Sequence, residues 1–170
     1  MDLLHLHLLL NHFPVIGTII GIALLLLGFV SKSDALKRAS LAVFFVLALL
    51  TIVVYLTGEP AEERVEKSPG VSKAFIEEHE DAAIPALIAM EVTGCVAMIG
   101  LFVSFRASRF ANIGFATTMI LSVLTFGLMA RTANIGGQIR HAEIRSGTAA
   151  SGNENPAATK SKKDDDDDKD

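Results

Sequence analysis

The sequence predicts an all-α integral membrane protein in which four transmembrane helices form an antiparallel bundle. Of its 170 residues, 51% are hydrophobic and only 20% are charged. The apolar residues form four runs, at 13–30, 41–56, 82–103 and 110–130. Each run is close to the ~20 residues that a helix needs to cross the hydrocarbon core of a bilayer. The chain has too few polar residues to enclose four such helices in a soluble fold, and the runs lack the alternation of a membrane β-barrel.

The four runs define one membrane domain. We expect it to cover residues 1–145, with helices at about 13–30, 40–57, 82–104 and 110–133. Short connections between the runs place neighbouring helices antiparallel. No Lys or Arg precedes residue 32, so the first run lacks the charge of a cleaved signal peptide and is expected to be retained. Residues 146–170 form a polar and acidic tail that cannot bury a core and is expected to be disordered; its end resembles an expression-tag remnant, and a natural acidic tail would have the same composition.

Local signals predict where the helices begin and end. Asn11 is expected to be the N-cap of the first helix, with Pro14 in the first turn. The sequence Thr57-Gly58-Glu59-Pro60 is expected to stop the second helix, and Gly136-Gly137 to break the chain after the fourth. One face of the first helix carries small residues that favour close helix packing, namely Gly17, Gly21 and Gly28.

The charges of the connections predict the orientation in the membrane. We call the side of the N-terminus side A and the opposite side side B. The two short side-B connections carry five cations against one acid: Lys32, Lys37, Arg38, Arg106 and Arg109. Because Lys and Arg accumulate in cytoplasmic loops, both termini are expected on the outside, in the periplasm of a bacterial inner membrane. The side-A segment 59–81 is acidic and is expected to be a solvated connector or, alternatively, a docking surface for a basic electron carrier.

Several functional classes are disfavoured by the sequence. The net charge of −4 gives no indication of nucleic-acid binding. The chain has no nucleophile–base arrangement, phosphate-binding loop or zinc-protease motif, which favours an electron carrier or membrane subunit over an enzyme. The expected partners are the lipid bilayer and a soluble or membrane-bound redox protein.

All five histidines are expected in one layer at the side-A surface of the membrane: His5, His7, His12, His79 and His141. Imidazole is the commonest metal ligand, and helical bundles build cofactor sites from side chains on facing helices. Histidines of two helices could supply both axial ligands of haem b. The chain has no Cys-x-x-Cys-His, so this haem would be held without a covalent bond. Arg131 and Arg140 are the candidate partners of its propionates, whereas His5 is expected only to tolerate the headgroup region.

Two other functions stay open at this point. One is binding or transport of a transition-metal ion by His12, His79 and His141 together with Glu or Asp. The other is a non-catalytic membrane module that recruits or stabilises partners. Glu91 lies inside the third apolar run, where an unpaired ionisable group costs about 3 kcal/mol or more. Its carboxyl is expected to hydrogen-bond a neighbouring helix, or else to serve as a proton relay or a ligand.

The opening His7-Leu8-Leu9-Leu10-Asn11-His12-Phe13-Pro14 looks like the His-x-x-x-x-His-Phe-Pro opening of a family of small four-helix bacterial membrane proteins, catalogued as a domain of unknown function. Thr57-Gly58, His79 and the pair Gly136-Gly137 followed by His141 resemble later landmarks of that family, so the similarity spans about residues 5–145. Leu8 departs from the proline that members often have, and Glu59-Pro60 from an aromatic residue. The resemblance implies four helices and gives weight to His7, His12, His79 and His141, and it implies no activity or cofactor.

Overall fold

The computed structural model describes residues 3–69, 71–106, 108–141 and 145. In these ranges the chain forms five helices: α1 (Leu3–Leu10), α2 (His12–Val30), α3 (Asp34–Val65), α4 (Lys73–Arg106) and α5 (Ser108–Gln138). α1 and α2 together form one apolar span, so four segments are long and apolar enough to cross a membrane. The prediction of a four-helix membrane protein is confirmed. The predicted tail, 146–170, lies outside the described residues.

The four spans pack as a closed antiparallel bundle. α2 packs on α3, α3 on α4 and α4 on α5, and α5 returns to α2. The centre of the bundle is apolar, with Leu25, Leu41, Phe44, Met90 and Phe115 almost completely buried. Large apolar side chains also cover the outside of every span. A surface of this kind is stable only against lipid, so the chain is a multi-pass membrane protein.

The glycines of α2 serve helix packing, as predicted. Gly17 lies directly against Leu47, and a Cβ atom on Gly21 would come within 2.7 Å of the Phe44 ring. Both contacts join α2 to α3. Because a methyl group at either position would overlap a side chain of α3, the two backbones approach closely only with glycine there.

The prediction that Asn11 caps the first transmembrane helix is wrong. Asn11 has helical dihedral angles and forms no side-chain cap. Its N–H donates to the carbonyl of His7 at 2.9 Å, and its side chain hydrogen-bonds the His12 ring instead. α1 therefore runs almost directly into α2, and the donors at the start of α2 need no cap because the preceding turn supplies carbonyls.

The prediction that Thr57-Gly58-Glu59-Pro60 ends the second helix is also wrong, because α3 continues to Val65. Glycine and proline disfavour a helix interior by about 1 and 3 kcal/mol. Tertiary packing offsets this here, since Gly58 lies beside the His7 ring and Ala61 is buried. α4 likewise starts early, at Lys73, so the acidic segment 59–81 is mostly helical, and most of its charged side chains are exposed to solvent.

The predicted break at Gly136-Gly137 falls within the last turn of α5, which ends at Gln138. Beyond the helix, the Arg145 guanidinium donates to the carbonyls of Gln138 and Ile139, both at 2.8 Å, and lies over the Phe75 ring. These bonds satisfy carbonyls that a helix C-terminus leaves unpaired. Arg145 thus caps α5 and fixes its end to α4.

An ion pair joins the helix ends at the side-A connector. Lys73, the first residue of α4, binds the Glu66 carboxylate just after α3. The hydrogen bond from Lys73 and its positive charge hold the pKa of Glu66 below its ordinary value. Both groups are exposed to solvent, so the ion pair contributes little to the stability of the fold.

Two cations hold the side-B end of the bundle. Lys37 is buried, pairs with Asp34 at 2.6 Å and lies over the Phe115 ring. Arg38 reaches from α3 to α4, where its guanidinium donates to the hydroxyl of Ser104 at 3.2 Å and to the Ser104 carbonyl at 2.8 Å. Charged donors on such acceptors form the stronger class of protein hydrogen bond.

We expect Arg38→Ala to lower the free energy of unfolding by about 1.5–3 kcal/mol, because it removes charged hydrogen bonds between α3 and α4. Thermal unfolding of the purified protein in detergent, followed by circular dichroism, measures the change. Arg106→Ala is the matched control, since the exposed Arg106 lies over the ring of Phe102 on its own helix and makes no hydrogen bond to another helix among the described residues. Equal losses in the two variants would contradict the interhelical role of Arg38.

Candidate functional site

His7 enters the bundle from α1 and is held by α3. Its half-buried ring places Nδ1 3.1 Å from the Val54 carbonyl and 3.3 Å from the Thr57 hydroxyl. The Thr57 hydroxyl is itself directed at the Val54 carbonyl, 2.9 Å away. Because a carbonyl can only accept, the proton of the neutral ring is assigned to Nδ1. Nε2 then carries the lone pair.

His79 is held in the same manner by α5. Its ring is half-buried, and Nδ1 lies 3.0 Å from the Thr132 carbonyl. The Thr132 hydroxyl donates back to the Ala82 carbonyl of α4 at 2.9 Å. The two bonds join α4 to α5 at Thr132. Because the Thr132 carbonyl can only accept, the proton of the neutral His79 ring is assigned to Nδ1, and Nε2 again carries the lone pair.

A glycine lies beside each imidazole. A Cβ atom on Gly58 would be 3.6 Å from the Cε1 atom of His7, and one on Gly136 would be 3.0 Å from the Cε1 atom of His79. Each glycine follows the residue that binds its histidine, Val54 or Thr132, by one helical turn. Larger side chains would crowd these rings, most severely at Gly136.

The same pattern in both halves reveals an internal repeat. In the hairpin formed by α1, α2 and α3, the histidine of the first span is hydrogen-bonded to a carbonyl of the second span. The hairpin formed by α4 and α5 holds its histidine in the same way. At side B, Gly28 packs against Lys37 and Leu36, and Gly100 packs against Leu41 and Gly114. The histidines thus occupy equivalent positions in two similar halves.

His7 and His79 both lie at the side-A end of the bundle, one in each half. Neither Nε2 atom makes a hydrogen bond to the described part of the chain. Two imidazoles that are fixed through Nδ1, and whose Nε2 atoms make no such bond, are suited to binding a metal centre.

The other histidines are placed differently. His5, His12 and His141 are exposed, and the Nδ1 atom of His12 is bound by Asn11. Within residues 3–69, 71–106, 108–141 and 145, no three His, Cys, Asp or Glu side chains form a group that could hold a metal ion. The structure therefore does not assemble His12, His79 and His141 into the three-histidine metal site considered from the sequence.

The remaining predicted site residues are Arg131, Arg140 and Glu91. Arg131 and Arg140 are exposed near the side-A end of α5. Glu91 is partly buried, and its Oε1 atom is buried without a hydrogen bond to any described group. The expected bond from Glu91 to a neighbouring helix is thus not formed. Thr93 makes such a bond instead, with its hydroxyl 2.8 Å from that of Thr125.

An acidic surface lies next to the histidine pair, where α3 and α4 extend past their apolar segments. Glu80 follows His79 on α4 and acts electrostatically on its ring. A shallow depression between the two helix ends is lined mostly by carboxylates: Glu59, Glu62, Glu63, Glu66, Glu77 and Glu80, with Lys73 and Ile76. We call this the acidic surface.

Sequence reasoning missed the groups that orient the imidazoles. Val54 and Thr132 act through backbone carbonyls, which every residue possesses, so residue type gave no signal. Gly58 and Gly136 were noted as helix-ending residues and as landmarks of the family resemblance, but not as neighbours of the histidines. A glycine inside a helix often has a packing or functional reason, and here each glycine lies beside a histidine ring.

Searches against protein-family models, curated proteins and solved structures found no match. The resemblance to the four-helix family of unknown function stays a prediction. What the protein does is therefore inferred from its own residues.

Proposed function

We propose that the protein is a b-type haem protein of the bacterial inner membrane that transfers electrons near side A, with His7 and His79 as axial ligands. One observation carries this proposal: each Nδ1 is bonded to a backbone carbonyl of another helix, α3 for His7 and α5 for His79, which leaves each Nε2 for a ligand. Histidines that bind metals donate their other ring nitrogen in this way.

The number of imidazoles favours haem over a bare metal ion. A porphyrin supplies four nitrogen ligands itself and needs only two axial ligands, which can come from opposite sides. A bare transition-metal ion commonly needs three or four protein ligands, and no such group occurs in the described ranges. The glycine beside each ring leaves that position without a side chain that would crowd the imidazole.

The bound haem would supply one-electron exchange between ferric and ferrous iron. The protein's own part is to orient and tune the ligands. The carbonyls of Val54 and Thr132 fix the orientation of the two rings and make each Nε2 a more basic metal ligand. Arg131 and Arg140 are the cations available at this end of α5 for propionate groups.

The charge pattern supports an orientation and a partner. The excess of Lys and Arg in the side-B connections favours a cytoplasmic side B, and hence a periplasmic side A. The acidic surface beside His79 favours a soluble electron carrier with a basic surface, because complementary charge accelerates encounter.

We expect the protein, purified from membranes of haem-replete cells, to show a Soret band and the sharp visible bands of a low-spin, bis-histidine haem after reduction. Haem determination should give one haem per chain, because the two halves together form one pair of ligands. Protein isolated without haem is then titrated with it. A protein without a Soret band before and after this titration would refute the proposal and leave a non-catalytic membrane module as its role.

A further inference from the structure

The side-B end of the bundle carries positive charge that the described part of the chain does not neutralise. Five cations and one acid occupy the two side-B connections. That acid, Asp34, is bound by the buried Lys37. Arg38 donates two of its five N–H groups to Ser104, and Arg106 makes neither an ion pair nor a hydrogen bond to a described residue. Donors and charge are therefore left over for an anion from outside the chain.

Arg38 and Arg106 lie over neighbouring rings on one face of α4. The guanidinium carbon of Arg38 is 4.5 Å from the centre of the Phe105 ring, and that of Arg106 is 4.8 Å from the centre of the Phe102 ring. Positions 102, 105 and 106 are three and four residues apart, so they share a face of the helix. The two rings are exposed on the outside of the bundle, Phe102 at 60% and Phe105 at 67%. We call these four residues the Arg–Phe patch.

The Arg–Phe patch lies where the apolar part of α4 ends. α4 runs from side A to side B, so Phe102 is one turn, about 6 Å, nearer the membrane centre than Arg106. Arg106 folds back over this ring, whereas an arginine that only seeks water extends away from the hydrocarbon. A guanidinium at this boundary loses part of its hydration and is stabilised by an anion at the same depth. Lipid phosphates form a layer of such anions.

We propose that the Arg–Phe patch binds an anionic phospholipid of the side-B leaflet, with the phosphate on the two guanidinium groups and the acyl chains along the two rings. Guanidinium groups bind phosphate through paired N–H donors. A zwitterionic lipid carries its own cation beside the phosphate, so the patch attracts it less than it attracts phosphatidylglycerol. Apolar side chains cover the outside of all four spans and cannot select one lipid headgroup, whereas two uncompensated cations can.

Native mass spectrometry of the full chain in detergent, with phosphatidylglycerol or phosphatidylcholine added, measures this preference. Each cation near an anionic lipid raises affinity by roughly a factor of five, so the native chain should prefer phosphatidylglycerol by more than about tenfold. Arg106→Gln should lower the preference about fivefold, because it removes one of the two cations. Arg106→Lys keeps the charge without the paired donors and should retain more of the preference than Arg106→Gln.

Lys32→Gln is the matched control. Lys32 is an exposed cation of the same side, and it makes no hydrogen bond, ion pair or ring contact to the Arg–Phe patch. Its removal should leave the preference unchanged. Glycerol phosphate, which has the anion but no acyl chains, should not displace the lipid. The proposal is overturned if the native chain binds the two lipids equally, if Lys32→Gln lowers the preference as much as Arg106→Gln, or if glycerol phosphate displaces phosphatidylglycerol.

Discussion

Substitution of either buried histidine is expected to abolish the bis-histidine spectrum of the purified protein. His7→Ala and His79→Ala each remove one axial ligand, so the low-spin bands should disappear and haem affinity should fall by more than about 100-fold, beyond the effect of losing an outer hydrogen bond. Absorption spectra and haem titration of each variant measure both changes. Added imidazole should restore the low-spin bands, because it can enter the space left by the missing side chain.

His12→Ala is the control for this pair. The His12 ring is exposed and hydrogen-bonds the adjacent Asn11, so its loss should leave the spectrum and the haem affinity unchanged. Circular dichroism melts separate a lost ligand from a lost fold. Loss of the spectrum in His12→Ala but not in His7→Ala would show that the ligands are assigned to the wrong histidines.

Gly94→Ala is expected to be the most damaging single-methyl addition to the bundle. A Cβ on Gly94 would overlap the Cβ of Ala48, and it would lie 3.5 Å from the Phe44 carbonyl oxygen. Neither neighbour is the end of a flexible side chain, so α3 and α4 must separate. Overpacking of this kind costs about 1–3 kcal/mol. Thermal unfolding in detergent should show a clear decrease in midpoint.

Gly127→Ala makes the same chemical change where there is room. A Cβ on Gly127 would meet nothing within 4 Å. Alanine favours a helix over glycine by up to about 1 kcal/mol, so this variant should be as stable as the native chain or slightly more stable. A loss of stability in Gly127→Ala equal to that in Gly94→Ala would show that the loss in Gly94→Ala does not come from the contact between α3 and α4.

The four spans could be predicted because the bilayer imposes a length of apolar chain that composition alone reveals. Their extensions could not. Above the membrane a helix needs no apolar run, and the local signals at Gly58 and Pro60 favoured an end to α3. Contacts distant in sequence reversed that preference: the His7 ring beside Gly58 and the burial of Ala61. Asn11 was misread for a similar reason, because the preceding α1 already supplies carbonyl acceptors.

The histidines could be named from the sequence but not ranked. His7 and His12 belong to adjoining helices, and only the packing of α1 against α3 turns one ring inward and leaves the other exposed. The internal repeat was also hidden, since its two halves share spacing and glycines more than residue identity. The repeat became visible only in the structure, through the hydrogen bonds from His7 to Val54 and from His79 to Thr132.

The extension of α3 also sets how far its charges stand from the lipid. The helix continues from Thr57, just beyond the apolar run, to Val65. At 1.5 Å per residue this adds roughly 13 Å. Headgroups occupy about 5–7 Å of that height. The top of the extension then stands in water, about one Debye length, ~8 Å at physiological salt, beyond the phosphate layer. Bulk ionic strength, more than lipid composition, therefore governs the electric field of the Glu66 carboxylate, which lies at the top of the extension.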